Sequence, residues 1–449
     1  MPFFFCFLFF CVLSFPVCAE GVAPRPVTAR PAADFLASIG VNSSVSKRGE
    51  SLEKTIEICK YLGVRWVRSG YEGNIPIDDQ IALFRAAGVK TSYGLLSGGA
   101  DIPRLLEGAR KLASAGALLA IEGNNEPNNW GVTYQGEKGG GSLSWLPVAR
   151  LQADLYAAVK ADGVLKAYPV WSLSENGAQT DNTGLQFLTI PQGAGTLLPA
   201  GTTFADYANC HNYIEHPSFA GLHDNQTWRA ASPGRDCPID GLFGNYGITW
   251  ARKFAGYSES ALETLPRVTT ETGLVIKGDI TEEKHARLLM NLFLAQYARG
   301  WKHTALYLLR DRSDESGNQQ YGFYKPDYTP RKAALYMHNL TTLLADNPTG
   351  NKRRAAAAKS PQQRELSYSI DPMPETVHEL LLQKSDGSFV LVVWGERVSG
   401  SDTVKVTFAK APKQVVVFDP IKGTAPDSVL RNAKELSLTL SDSPLILQL

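Results

Sequence analysis

Two glutamates stand where apolar, strand-like runs end. Glu126 closes the polar stretch that follows the run Leu118 to Glu122, and Pro127 comes directly after it. Glu271 follows the run Arg267 to Thr270 in the same way. Carboxylates are costly to bury without a purpose. Two carboxyl groups about 5 Å apart, one protonated and one ionised, can cleave a glycosidic bond with retention of configuration. The pair therefore predicts a site in which one of these glutamates is the acid/base and the other is the nucleophile.

A repeated alternation of strands and helices can bring these residues together. The helical pattern Leu52, Ile56, Cys59 and Leu62 begins after Ser51, a residue type that caps helices, and ends at Gly63. The predicted strands are Ile39 to Val41, Val64 to Val67, Val89 to Leu95, Leu118 to Glu122, Leu165 to Val170, Tyr207 to Tyr213, Arg267 to Thr270 and Thr304 to Leu309. In a barrel of eight such units the fourth and seventh strands face each other, and catalytic residues lie at the carboxyl ends of the strands.

The predicted fold class is α/β, a (β/α)8 TIM barrel over residues 36–350 with a C-terminal antiparallel β-sandwich domain over residues 360–449. A doubly wound open sheet is the alternative, but its glycine-rich phosphate turn is absent after the first strand. In the C-terminal part, Asp386-Gly387 between two apolar runs predicts a hairpin. Residues 20–35 form an N-terminal segment that could add a strand to the sandwich.

The stretch around the first glutamate resembles a known family. Glu122-x-x-Asn125-Glu126-Pro127-Asn128 is similar to the fourth-strand signature of clan A glycoside hydrolases, nearest in character to family 39. Members of this family also combine the barrel with a β-sandwich. The resemblance implies that Glu126 is the acid/base, that Glu271 is the nucleophile, and that Asn125 binds the sugar hydroxyl next to the anomeric carbon.

Further positions match the clan residue by residue. Arg68, at the end of the second strand, resembles the arginine that binds the nucleophile, and a guanidinium there is expected to lower the pKa of Glu271. His211-Asn212-Tyr213 resembles the clan's His-x-Tyr, in which the tyrosine hydroxyl steadies the nucleophile and the histidine lines the subsite. Each of these residues could instead have a purely structural role.

The eighth strand departs from the clan pattern because it has no tryptophan to stack on a sugar ring. Tyr307 could take that role, or Arg310 could recognise an acidic or heavily hydroxylated sugar. Sugars stack on aromatic rings, so Trp130, after the fourth strand, and Trp171, after the fifth, are predicted subsite residues. Packing in the core is the alternative for both.

The first nineteen residues are almost entirely apolar and end Val17-Cys18-Ala19, which predicts a signal peptide over residues 1–19 and a secreted or periplasmic protein. An uncleaved anchor or lipid attachment at Cys18 is the alternative, but a span needs about 18 apolar residues with flanking charge, and the residues before Cys18 do not resemble a lipoprotein signal. No membrane span is expected after removal of the leader. Of the three cysteines that remain, Cys59 falls on the apolar face of a helix, which leaves Cys210 and Cys237 as the candidate disulfide.

The charge balance limits the class of partner. Lys+Arg 45 against Asp+Glu 44 gives a formal charge of +1, so nucleic acid is not an expected partner. The expected partner is a poly- or oligosaccharide substrate, with no cofactor and no metal. The alternatives are a transglycosylase that uses the same residues, a non-catalytic carbohydrate-binding protein of the cell envelope, and a metal-dependent hydrolase. The sequence does not indicate the sugar, the linkage or the oligomeric state.

Overall fold

The computed structural model describes residues 22–70, 75–174, 190–215, 221–232, 252–315, 319–346 and 363–449. The predicted signal peptide, most of the linker between the barrel and the sandwich, and Cys237 lie outside the described residues. The signal peptide and the disulfide therefore stay predictions. None of the described helices has both the length and the apolar character that crossing a membrane requires.

Two short strands precede the first helix, β1 (Arg25–Thr28) and β2 (Arg30–Pro31). The strands of the barrel region are β3 (Ile39–Asn42), β4 (Trp66–Ser69), β5 (Lys90–Gly94), β6 (Leu118–Glu122), β7 (Val132–Tyr134), β8 (Glu137–Gly139), β9 (Val170–Trp171), β10 (Ala208–His211), β11 (Arg267–Thr272) and β12 (Trp301–Leu306). The helices are α1 (Ala32–Ser38), α2 (Leu52–Leu62), α3 (Ile77–Ala87), α4 (Ile102–Ser114), α5 (Leu146–Ala161), α6 (Gln226–Ala230), α7 (Glu259–Thr264), α8 (Glu282–Ala298) and α9 (Lys332–Leu344).

Eight parallel strands form one sheet in the order β10-β11-β12-β3-β4-β5-β6-β9. A parallel bridge between Trp171 and Tyr207 joins its two ends and closes the barrel. The hairpin of β7 and β8 lies outside this sheet, in the loop after the fourth barrel strand. The predicted barrel is confirmed, and the carboxyl ends of β6 and β11 carry the two candidate glutamates to the same end of it.

Local signals set the helix bounds where the sequence predicted them. The Ser51 side chain accepts a hydrogen bond from the amide of Lys54, and Gly63 ends α2 with φ 73°. The Asp101 and Thr281 side chains cap α4 and α8 in the same way. These caps satisfy amides that have no partner within the helix.

The fifth strand is shorter and later than predicted. Residues 163–167 form turns instead of a strand, because one carboxylate oxygen of Asp162 accepts from the amides of both Val164 (2.8 Å) and Leu165 (2.9 Å). Only Val170–Trp171 pairs with the sheet. The side chain of an aspartate at the end of a helix therefore outweighed the apolar pattern after it.

The C-terminal strands are β13 (Glu365–Asp371), β14 (Val377–Gln383), β15 (Phe389–Gly395), β16 (Asp402–Phe408), β17 (Gln414–Phe418), β18 (Ser428–Arg431), β19 (Glu435–Leu440) and β20 (Pro444–Gln448). They form a four-stranded sheet, β1-β13-β16-β19, and a six-stranded sheet, β18-β17-β20-β15-β14-β2. The antiparallel sandwich and its Asp386-Gly387 hairpin are confirmed. From the N-terminal segment, β1 pairs antiparallel with β13 and β2 pairs parallel with β14.

The sandwich contacts the barrel segment that follows β10, the sixth strand of the barrel. The buried carboxylate of Glu396 accepts from the amides of Thr227 (3.0 Å) and Trp228 (3.1 Å) in α6. Asp442 accepts from Arg287 of α8 at 2.8 Å and from Lys284 of the same helix at 2.5 Å. These contacts fix α6, whose Gln226 side chain donates to the carbonyl of Ile214 just after the sixth strand.

Candidate active site

Glu126 sits on a tight turn just beyond β6. Its backbone has φ 42°, which few residues other than glycine adopt. Its carbonyl accepts from the amides of Asn129 and Trp130, both at 2.8 Å. Gln152 packs closely against the backbone that leads into this turn. A Cβ atom at Gly123 would lie 2.0 Å from the side-chain oxygen of Gln152, so only glycine fits there. These contacts hold the carboxyl group of Glu126 at the mouth of the barrel.

Glu271 lies on β11, across the barrel mouth from Glu126. One of its oxygens contacts Nη1 of Arg68, and the other accepts from the Tyr213 hydroxyl at 2.8 Å. One side-chain ligand atom each of Glu126, Glu271 and His211 lie within 4.8 Å of one another. Glu126 is 8% exposed and Glu271 is 6% exposed. The structure therefore brings the two predicted glutamates together in a largely buried site.

Glu122 is a central hydrogen-bond acceptor of the site, and no role was predicted for it from the sequence. It is 1% exposed and accepts from Arg68 through Nε (3.0 and 3.1 Å) and Nη2 (2.7 Å). Ser92, Thr270 and Asn209 also donate to it, at 3.2, 2.9 and 3.2 Å. A carboxylate as the last residue of an otherwise apolar strand was the signal that could have identified it.

Arg68 connects the carboxylates of this site. Besides Glu122 and Glu271, its Nη2 donates to Oδ1 of Asn125 at 2.8 Å. The Asn125 amide donates in turn to the Ser97 hydroxyl at 3.2 Å. An asparagine amide has two donor hydrogens, so this arrangement orients Asn125 and still leaves one N–H for a ligand.

His211 contacts Glu126 rather than only lining the site. Its Nδ1 lies 2.7 Å from Oε1 of Glu126, and its Nε2 lies 3.1 Å from the Thr270 hydroxyl. Burial lowers the pKa of His211 to about 4, so the ring is neutral near pH 7. Burial also raises the pKa of Tyr213 well above its usual value, so its hydroxyl stays a donor to Glu271.

Burial raises the pKa of both glutamates. For Glu271, the nearby His211 and Arg68 and the Tyr213 hydroxyl oppose this effect without overcoming it. Arg68 therefore acts on the pKa of Glu271 in the expected direction, although burial sets the direction of the net shift. The charge of Arg68 does lower the pKa, but withdrawal of the carboxylate from water outweighs it. The guanidinium of Arg68 and the hydroxyl of Tyr213 donate directly to Glu271, whereas the carboxyl group of Glu126 accepts from the side-chain amide of Asn129 at 3.0 Å. The direct cationic contact favours ionisation of Glu271 over Glu126.

The predicted aromatic residues have different fates. Trp130 is 53% exposed beside Glu126. Trp171 is fully buried and packs against Trp66 and His303 inside the barrel, with ring centroids 5.5 and 5.3 Å away. The prediction of Trp171 as a subsite residue is wrong, because the residue lies within β9 rather than after it, and its side chain fills the core.

Tyr307 follows β12 and faces the site as part of a tyrosine cluster. Its ring lies 6.4 Å from that of Tyr213 and 5.9 Å from that of Tyr321, both edge-on. Tyr321 was not predicted from the sequence. Arg310 does not have the suggested sugar-binding position, because its guanidinium donates to the carbonyl of Pro326 and packs over the Tyr328 ring.

Two cysteines, Cys59 and Cys210, lie within the described residues. Cys59 is buried and free, and burial raises the pKa of its thiol. Cys210 is buried on β10.

Within the described ranges, one group of three His, Cys, Asp or Glu side chains is close enough together to hold a metal ion, and it consists of Glu126, His211 and Glu271. The cationic guanidinium of Arg68 already contacts Glu271, so this donor set suits proton transfer better than a cation.

Comparisons with known proteins bear on the fold. No family model and no curated protein sequence matches the chain. Among solved structures, it is similar to a family 39 glycoside hydrolase from the gut symbiont Bacteroides cellulosilyticus WH2, with a TM-score of 0.54 and 14% identity over 92% of this chain and 81% of that one. A GH51 arabinofuranosidase from Xanthomonas axonopodis pv. citri has a TM-score of 0.50 and 11% identity over 94% and 97% of the two chains. An endo-beta1,6-glucanase has a TM-score of 0.50 and 10% identity over 95% and 92%. The resemblance to clan A glycoside hydrolases is confirmed at the level of the fold.

Proposed function

We propose that this protein is a secreted retaining glycoside hydrolase that cleaves O-glycosidic bonds of a poly- or oligosaccharide by double displacement. The observation that carries the proposal is the approach of Glu126 and Glu271, which each place an oxygen within 4.8 Å of the other across the barrel mouth. Retaining enzymes need carboxyl groups about 5–5.5 Å apart, whereas inverting enzymes need room for a water molecule between them. The fold neighbours named above are glycoside hydrolases by name, which agrees with this class.

In the first step, the ionised carboxylate of Glu271 attacks the anomeric carbon. The bond from that carbon to the leaving oxygen breaks, and Glu126 gives its proton to this oxygen. Asn125 uses its remaining N–H to bind the hydroxyl next to the anomeric carbon, since Arg68 and Ser97 hold the amide in place. The hydroxyl of Tyr213 and the guanidinium of Arg68 keep the nucleophile oriented.

In the second step, Glu126 is a carboxylate and removes a proton from water. The water oxygen attacks the anomeric carbon, the ester bond to Glu271 breaks, and the sugar leaves with its original configuration. Glu271 carries no charge while it is esterified, so its repulsion of a negative Glu126 is relieved in this step. The same residue can therefore act first as an acid and then as a base.

Separate variants of the two glutamates test the assignment. On an aryl glycoside with a good leaving group, Glu126→Gln should slow release of the glycosyl-enzyme, and Glu271→Ala should abolish turnover. Azide should restore activity to both and yield products of opposite anomeric configuration. Glu107→Gln, a substitution on the exposed face of α4, is the matched control. If both site variants retain full activity, the assignment is wrong.

Two alternatives use the same cleft. A transglycosylase would transfer the glycosyl group to a sugar acceptor, so product analysis with added oligosaccharide separates it from a hydrolase. A non-catalytic carbohydrate-binding protein would bind sugar without turnover. It would also give no covalent adduct on Glu271 when treated with a fluorosugar that traps glycosyl-enzymes, whereas the proposed hydrolase should be labelled at that residue.

A further inference from the structure

A chain of hydrogen bonds runs from Glu126 into the floor of the site. Nδ1 of His211 lies 2.7 Å from Oε1 of Glu126, and Nε2 lies 3.1 Å from the Thr270 hydroxyl. The Thr270 hydroxyl lies 2.9 Å from Oε1 of Glu122. His211 and Thr270 are both fully buried, and Glu122 is 1% exposed. Since these groups are shielded from water, each hydrogen must be assigned within the chain.

The single hydroxyl hydrogen of Thr270 decides the assignment. It can point to the carboxylate of Glu122 at 2.9 Å, to Oδ1 of Asn209 at 3.2 Å or to Nε2 of His211 at 3.1 Å. Glu122 is the nearest acceptor, and a charge-assisted hydrogen bond is roughly twice as strong as a neutral one. The hydrogen therefore points to Glu122. The amide of Asn209 also donates to Thr270 Oγ1, at 3.0 Å, which agrees with the oxygen acting as an acceptor on its other side.

If the Thr270 oxygen faces His211 as an acceptor, Nε2 of the neutral ring carries the hydrogen. Nδ1 then has only a lone pair. A lone pair 2.7 Å from Oε1 of Glu126 requires a hydrogen between the two atoms, and the only group that can supply it is the carboxyl group of Glu126. An ionised Glu126 would place two acceptors against each other at this distance.

We propose that Thr270 and Glu122 are positioning residues that hold His211 in its Nε2–H tautomer and thereby keep Glu126 protonated in the resting site. This inference rests on the proposed function, since it explains how Glu126 serves as the acid. The same contact makes Glu126 a stronger base in the second step, because taking a proton from water removes the repulsion between the two acceptors. The other charged or titratable groups that face this chain are Arg68, Glu271 and Tyr213, and the pKa of His211 is lowered by burial.

The tautomer can be measured without any substrate. Nitrogen NMR of protein labelled in its seven histidines distinguishes a protonated from an unprotonated ring nitrogen, and a His211→Asn variant identifies the His211 signals. The wild type and Thr270→Ser should show hydrogen on Nε2 only. Thr270→Val should move it to Nδ1. Thr91→Val is the matched control, because Thr91 is a buried barrel residue whose hydroxyl has no partner among the described residues. Hydrogen on Nδ1 in the wild type, or an unchanged tautomer in Thr270→Val, would overturn the proposal.

The pH profile gives a second, independent measure. For a substrate with a poor leaving group, the basic limb of kcat/KM reports loss of the acid's proton. Thr270→Val should move this limb to lower pH by about one unit. At pH values above the limb, kcat/KM of the variant should then be about tenfold lower than that of the wild type. A substrate with an activated leaving group should be much less affected, and Thr270→Ser should restore the limb.

The two proposals fail in different ways. Full activity of Glu126→Gln and Glu271→Ala would refute the hydrolase assignment, whatever the tautomer of His211. Loss of activity in those variants, together with an unchanged profile for Thr270→Val, would refute only the positioning role.

Discussion

Arg68→Met should be the most destabilising single change at the site. The guanidinium is 1% exposed and touches two carboxylates, Glu122 and Glu271. Methionine fills similar space but leaves both acids buried without their cation. Removing one partner of a buried ion pair costs about 3–5 kcal/mol. Because Arg68 serves two acids, we expect a loss near the upper end, about 4–5 kcal/mol in the free energy of unfolding at pH 8.

The loss should depend on pH, and its sign follows from Glu271. Burial already raises the pKa of this carboxyl group, and Arg68 is among the groups that oppose the rise. Without Arg68 the folded protein holds this proton more tightly than the unfolded chain does. Stability from such a group is present at low pH and is lost as pH rises through the folded pKa. Arg68→Met should therefore be closest to wild type near pH 4–5 and furthest from it at pH 8.

Urea unfolding at pH 5 and pH 8, followed by tryptophan fluorescence, measures both effects. The double variant Arg68→Met/Glu122→Gln should recover about 2 kcal/mol at pH 8, because it removes one of the two unpaired buried charges. Arg65→Met, an exposed change three residues earlier, should stay within about 0.5 kcal/mol of wild type. A loss below about 1 kcal/mol, or an equal loss at both pH values, would refute the view that Arg68 neutralises buried acids.

Glu126→Gln should increase the free energy of unfolding at pH 8 by about 1 kcal/mol, which is measured as a higher midpoint of thermal unfolding. Near pH 4 it should leave the midpoint unchanged. A carboxyl group whose pKa is raised by burial costs stability only where it is ionised. Tyr213→Phe removes a donor that lowers the pKa of Glu271, so the acid limb of kcat/KM should move to higher pH while the basic limb stays. Trp130→Ala should raise KM for oligosaccharides about three- to tenfold without affecting unfolding, as expected for loss of one stacking contact. Trp171→Ala should instead destabilise the protein by about 3–5 kcal/mol, and the reverse pattern in these two variants would contradict their placement.

Much of the fold could be predicted because its signals are local. Caps such as Ser51 and Asp101 and the apolar runs between them gave the barrel strands to within a few residues. The fifth strand failed because the Asp162 turn competes with an apolar pattern that strands and turns share. β13 and β20 were not predicted, since they pair with strands distant in sequence. β18 was missed because it is a short, largely exposed strand at the edge of its sheet.

The site could be predicted where the residue type and its place at a strand end limit its role, but not where the role depends on the direction in which the side chain points. The positions of Glu126 and Glu271 at the ends of two strands were enough to predict that they lie close together. Trp171 was misplaced because a shift of one or two residues in the end of a strand exchanges a loop position for a core position. Arg310 and Arg312 are two residues apart, yet only Arg312 contacts the Tyr307 hydroxyl. The sequence does not reveal which of the two faces the site.

Glu122 shows why the site needs a third carboxylate that takes no part in the chemistry. Without Glu122, the Nε–H group and one Nη2–H group of Arg68 would lose the carboxylate that accepts from them. Glu122 accepts from the Nε and Nη2 side of the guanidinium, so that Nη1 is directed to Glu271. The same carboxylate orders Thr270 and Asn209 through its second set of contacts. In the proposed mechanism the two glutamates differ in protonation, because Glu122 directs the cation of Arg68 to Glu271 and, through Thr270, orients the neutral ring of His211 toward Glu126. Replacing Glu122 should disturb both halves of the proposed mechanism at once.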